Sequence, residues 1–141
     1  MVTDKSSLMS QLIRLNRQRR DTMKPTYASL SLTPLQISAL RCIFDHPGRM
    51  QKEIAEDIGV SPPVLVGILR NLEERGYIES RRKADNRRAI SVFATDKGSD
   101  IVAVLSDKAS EVSAKALSGF SEDETEEFLS LLNRIMENLS K

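Results

Sequence analysis

Apolar residues recur along this chain mostly at helical spacing, and capping residues punctuate the recurrence. Over residues 6–23, Leu8, Leu12 and Leu15 share one stripe while Arg14 and Arg17 lie elsewhere, which predicts a first helix. Pro25 is expected to stop it, because proline has no amide hydrogen to continue the ladder. Thr33-Pro34-Leu35-Gln36 opens a second helix, with Thr as N-cap, Pro at the first helical position and Gln placed to complete a capping box. Ile37, Leu40, Ile43 and Phe44 supply its apolar face, and His46-Pro47-Gly48 closes it.

A short third helix turns Ile54, Ala55 and Ile58 inward and Lys52, Glu53 and Glu56 outward, with Gly59 as its cap. Ser61 begins a fourth helix whose first turn holds Pro62 and Pro63, where amide hydrogens have no intrahelical acceptor to lose. Leu65, Ile68, Leu69 and Leu72 form its buried stripe, so Pro63, Val66, Gly67 and Arg70 must face outward. Gly76 ends this helix. Tyr77-Ile78-Glu79 and Ile90-Ser91-Val92-Phe93 are β-favouring segments on either side of a basic turn, Ser80-Arg81-Arg82-Lys83-Ala84-Asp85-Asn86-Arg87-Arg88. Thr95 can cap a long fifth helix to about residue 118, with Val102, Leu105, Ala109, Val112 and Ala116 as its stripe. Gly119 stops it. Ser121-Glu122-Asp123-Glu124 is another capping box, opening a sixth helix with Phe128, Leu131, Leu132, Ile135 and Leu139 apolar.

Composition narrows what such a chain can do. Its 141 residues suit one domain with a real core, and 40% hydrophobic with 29% charged residues is ordinary for a soluble protein. No apolar run approaches the roughly 18 residues a membrane span needs, and the N-terminus has no signal-peptide apolar stretch, so a cytoplasmic location is expected. Cys42 is the sole cysteine and His46 the sole histidine, which excludes an intramolecular disulfide and a Cys/His zinc cluster. With no convincing nucleophile–base pair, phosphate-binding glycine loop or metal cluster, neither an enzyme nor a cofactor is expected. Cys42 lies between core positions Leu40 and Ile43 and reads as a structural thiol rather than an oxidant sensor, which needs exposure and a lowered pKa. His46 suits a helix end near the C-terminal dipole.

The formal net charge of +1 says little, but its distribution says more. Arg75, Arg81, Arg82, Lys83, Arg87 and Arg88 crowd one segment, whereas Glu122, Asp123, Glu124, Glu126 and Glu127 gather near the C-terminus. A helix pair followed by a cationic hairpin suits a groove-reading surface on duplex DNA. The fourth helix is the candidate recognition helix, offering Ser61, Pro62, Pro63, Val66, Gly67, Arg70 and Asn71. Arg70 could equally pair with Glu73 or Glu74 along the helix. Proline, valine and glycine cannot make the bidentate hydrogen bonds that identify bases, which leaves contact with thymine methyls, close backbone approach at Gly67, and shape readout. The first, fifth and sixth helices carry apolar stripes that the central segment does not cover. Packing them together and against a second copy makes a homodimer the expectation; a coiled-coil partner is the alternative.

The order of elements and several strings resemble the MarR family of bacterial winged helix-turn-helix regulators. The strings are Gln51-Lys52-Glu53-Ile54-Ala55-Glu56-Asp57-Ile58-Gly59-Val60-Ser61, Leu72-Glu73-Glu74-Arg75-Gly76-Tyr77-Ile78, Asp85-Asn86-Arg87-Arg88 and Ala94-Thr95-Asp96-Lys97-Gly98. The resemblance implies a mainly α fold with a small β-hairpin wing (α+β), a winged helix-turn-helix with N- and C-terminal dimerisation helices. One domain would span 1–141, with a DNA-binding lobe at about 33–94 and dimerisation segments at 6–23 and 95–141. It further implies a homodimeric, DNA-binding transcriptional regulator, commonly a repressor released by small aromatic or phenolic ligands or by oxidants. By the same resemblance Arg87 enters the minor groove, Asp85 orients it, and Arg81, Arg82, Lys83 and Arg88 meet phosphates. Gln51 offers its amide and a helix N-terminus to another phosphate. An effector pocket would lie where the first, second and fifth helices meet the lobe, with Arg14, Arg17, Tyr27 and Arg41 as anion or phenol contacts; solvated surface charge is the alternative for each arginine. The competing function is a winged-helix protein-interaction module with only weak, nonspecific DNA binding.

Overall fold

A computed structural model describes residues 4–83 and 86–141, apart from the side chains of residues 83 and 86–89. In chain order the elements are α1 (Lys5–Leu30), α2 (Pro34–Asp45), β1 (Arg49–Met50), α3 (Gln51–Ile58), α4 (Pro62–Glu74), β2 (Ile78–Lys83), β3 (Asn86–Ala94), α5 (Asp96–Ala116) and α6 (Glu122–Leu139). Six helices and a small antiparallel sheet are the expected winged-helix composition. The chain divides into two compact units, Met1–Lys108 and Ala109–Lys141.

Two expectations need correction. Pro25 does not stop the first helix: α1 runs through it to Leu30. A helix-interior proline typically costs about 3 kcal/mol, so something beyond it must hold the last turn. Met23 is buried, and Ser31 closes the helix in the left-handed conformation at φ 53°. The Ser31 amide donates to the Ala28 carbonyl at 3.0 Å and the Leu32 amide to the Tyr27 carbonyl at 3.1 Å. The Arg75 guanidinium, from just after α4, then donates to the Leu30 and Ser31 carbonyls at 2.9 and 2.7 Å. The second correction concerns the basic segment. Much of what reads as a turn is strand, because β2 continues to Lys83 and β3 starts at Asn86.

The sheet order is β1-β3-β2. β2 and β3 pair in register from Ile78↔Ala94 to Arg82↔Ile90, and β1 adds the pairs Arg49↔Val92 and Met50↔Ser91. Leu40, Ile43, Ile54, Leu65, Leu72, Val92 and Val102 are the largest fully buried side chains, so α2, α3, α4, β3 and the start of α5 share one core. The inward stripes of α3 and α4 are as the spacing predicts. Phe44, assigned to the apolar face of α2, is exposed instead, and Ala39 and Cys42 are buried on that helix.

The junction into α5 explains Thr95 and Gly98. Thr95 Oγ1 accepts from the Gly98 amide at 3.1 Å and donates to the Gly76 carbonyl at 2.5 Å. A Cβ on Gly98 would lie 2.1 Å from the Tyr77 carbonyl oxygen, so only glycine lets α5 start this close to the end of α4. In the second unit, the Ser121–Glu124 capping box forms as expected, with amide–side-chain bonds of 2.9 and 3.1 Å. The apolar side chains of α6 are not buried within the chain: Phe128, Leu131 and Leu139 are all exposed.

Candidate nucleic-acid interface

The helix pair α3–α4 is a helix-turn-helix by construction. Gly59, at φ 71°, ends α3 and its amide donates to the Ala55 carbonyl, and α4 opens three residues after it with Pro62 in the first turn. Leu65, Leu69 and Leu72 anchor α4 to the core. Pro63, Val66, Gly67 and Arg70, spaced i, i+3, i+4 and i+7, are all exposed, as are Ser61 and Pro62. Val64, which the spacing did not single out, is also exposed, at 47% beside 44% for Val66. Its place one turn before Gly67 was the signal that could have found it.

Asn71 is not brought onto that face. It is half-buried, and its Oδ1 accepts from Gln36 Nε2 at 3.0 Å. Gln36 therefore serves two elements, since its Oε1 also accepts from the Thr33 amide at 2.9 Å in the α2 capping box. The Asn71 amide joins α4 to the start of α2.

The basic residues divide in the same way. Arg75 is committed to the end of α1 and also lies 5.0 Å from the centre of the Tyr77 ring. Arg81 is exposed on β2, paired with Glu79, and stacks over Phe93 with its guanidinium carbon 4.3 Å from the ring centre. Such stacking holds the side chain in one orientation while leaving its edge open to solvent. Arg82 is exposed on the same strand. Lys83, Asp85, Arg87 and Arg88 carry expectations that lie outside the described residues or side chains. Gln51 sits half-exposed at the first position of α3, where the Glu53 carboxylate accepts from the Met50 amide at 3.3 Å.

The four residues considered for an effector separate. Arg17 and Tyr27 line a hollow of about 520 Å³ with Arg20, Asp21, Lys24 and Pro34, between α1 and the start of α2. Asp21 is paired there with Lys24 at 2.9 Å. Arg41 lines a different hollow of about 670 Å³ with Ser38, Cys42, His46, Arg49, Asp57 and Ile58. Arg14 is exposed on α1 and lines neither hollow.

Cys42 is buried, and its thiol donates to Asp57 Oδ2 at 3.4 Å. Burial, and then that bond to Asp57, push its pKa up, with nearby Arg49 only partly opposing them. Asp57 is itself paired with Arg49, so its charge is neutralised locally. His46 caps the C-terminus of α2, its amide donating to the Cys42 carbonyl at 3.0 Å. Among the described residues, no cluster of three or more His, Cys, Asp or Glu can hold a metal, and no helix is long and apolar enough to cross a membrane.

A helix-turn-helix followed by a two-stranded basic arm, within a mainly helical chain, defines a winged helix-turn-helix protein. The MarR family model matches residues 32–90, which span α2 to the first half of β3. An uncharacterised HTH-type transcriptional regulator of Bacillus subtilis (strain 168), YybA, is 30% identical over 115 residues, covering 82% of this chain and 77% of its own. The chain belongs to the MarR family of transcriptional regulators. The crystal structure of MarR is 28% identical, with a TM-score of 0.77 over 94% of this chain and 97% of that one. A mutant of S. aureus MepR bound to an oligodeoxyribonucleotide shares the fold, at 24% identity and a TM-score of 0.68 over 93% and 97% of the two chains. The family and the B. subtilis relative are regulators, not enzymes.

Proposed function

We propose that the chain binds a pseudo-palindromic operator as a homodimer in the cytoplasm and represses transcription from it until a small aromatic or phenolic effector releases it. The single observation that carries this is the exposed α4 face, from Ser61 to Arg70, on a helix that runs by one short turn into a basic β2 bearing Arg81 and Arg82. The oligonucleotide bound to the MepR mutant supports the same mode of use. In this reading the DNA-binding lobe extends over about 33–94. α1 and residues 95–141 make the dimer, and α4 of each copy enters a major groove about 34 Å from its mate. Arg87 reaches the minor groove, oriented by Asp85, while Arg82, Lys83, Arg88 and the open edge of Arg81 meet phosphates, as does Gln51 at the start of α3. The hollow holding Arg17 and Tyr27 is the effector site this reading favours, since a guanidinium and a phenol there suit an anionic aromatic ligand.

The apolar character of the α4 face favours one competing use, a protein-interaction module with nonspecific DNA affinity. Selection from a random duplex pool at physiological salt separates them. Enrichment of an inverted repeat is expected; recovery of unenriched DNA would remove the operator reading. On the enriched duplex, Arg87→Ala is expected to weaken binding by about 1–3 kcal/mol with the fold intact. Unchanged affinity in a titration at fixed salt would take Arg87 out of the mechanism.

A further inference from the structure

The exposed positions in the first turns of α4 carry almost no hydrogen-bonding groups. Pro62, Pro63, Val64, Val66 and Gly67 are all exposed, and Arg70 is the polar side chain that shares their face. Asn71, whose amide would suit the two-point recognition of adenine, is held by Gln36. Gly67 adds a second observation. A Cβ built there meets nothing within 4 Å, so no neighbouring atom of the chain requires glycine. Glycine is less stable than alanine inside a helix, a cost without return inside the fold. The bare backbone gives a partner surface a place to come close.

Resting on the operator-binding reading above, we infer that α4 identifies thymine through its 5-methyl group, with Pro63 and Val66 as the contacting side chains and Gly67 as the point of closest approach. In the major groove the thymine methyl is the one apolar feature that a base pair presents. An apolar helix face seated in the major groove therefore has its complement there. The occupant is DNA rather than an apolar protein because cationic side chains lie near the patch in sequence: Arg70 on the same face, Arg82 on the strand that follows. Each operator half-site then carries thymine opposite the first two turns of α4.

The test takes the duplex enriched by selection and replaces its thymines one at a time with deoxyuridine, which removes only the methyl group. Loss of about fourfold in affinity is expected at each contacted thymine, the effect of one buried methyl-sized group. That loss should shrink to nothing in Val66→Ala or in Pro63→Ala protein, according to which side chain touches the methyl. Both residues are exposed, so neither variant disturbs the core. Replacements that all stay within about twofold of the parent, against the fourfold expected, overturn the inference, as does a loss of equal size in wild-type and both variant proteins. Failure to enrich any sequence overturns the operator reading and this inference with it. An enriched duplex indifferent to uracil overturns this inference alone.

Discussion

Cys42 shows how one side chain's surroundings decide its chemistry. It is buried in α2 and donates to Asp57, and both circumstances disfavour the thiolate. The folded-state pKa therefore lies above that of the unfolded chain. A group raised in this way favours the folded state fully below the unfolded pKa, and that contribution is lost as pH rises through the folded one. Two outcomes follow for the native protein. Alkylation by iodoacetamide at pH 8 is expected to be much slower than in the denatured chain, and stability should fall as pH climbs above the ordinary thiol range. Native alkylation as fast as denatured would make the thiol an exposed, reactive group and reopen an oxidant-sensing role.

Arg75 is a different lesson at the level of elements, because a cation that belongs by sequence to the basic segment instead ties two helices together. It donates to the Leu30 and Ser31 carbonyls at the C-terminal end of α1, and so anchors the turn beyond Pro25. Hydrogen bonds from a charged donor contribute about 1.5–3 kcal/mol, so Arg75→Ala should lower the urea unfolding free energy by that order. Amide exchange should rise first over residues 26–31. Unaltered exchange there would mean that Met23 and the Ser31 turn hold the segment alone. The caps were legible because they are local: Thr33 with Gln36, and Ser121 with Glu124, are three residues apart. The buried stripe of α4 was legible because its period is. The length of α1 was not, since it depends on a residue 45 positions away from Leu30. Nor was β1, whose two residues are too few for any periodicity and become a strand only by pairing with Val92 and Ser91. Asn71 escaped for the same reason as α1, its partner Gln36 lying 35 residues earlier.

At the scale of the whole molecule, many of the exposed apolar side chains among the described residues lie on helices. Leu8 and Ile13 on α1 are 49% and 65% exposed, and Leu131 and Leu139 on α6 are 46% and 72% exposed. Exposure of one such side chain is ordinary, but α6 repeats it along one stripe, with Phe128, Leu131 and Leu139 recurring every three to eight residues. Each apolar Å² removed from water contributes about 25 cal/mol, so covering that stripe with a second copy is a substantial driving force. Binding of native protomers to one another would also stabilise them by mass action. The melting temperature is therefore expected to rise with protein concentration, and sedimentation at micromolar concentration to give a dimer. Leu131→Glu combined with Leu139→Glu should produce a monomer, because two charges would then have to be buried without partners. Both positions are exposed in the single chain, so helical circular dichroism should persist. The monomer should still bind one half-site, weakly and with a shallower salt dependence, because it neutralises about half as many phosphates. A wild-type chain that sediments as a monomer with a concentration-independent melting temperature would leave the α6 stripe to another partner. The two-half-site operator would then lose its physical basis.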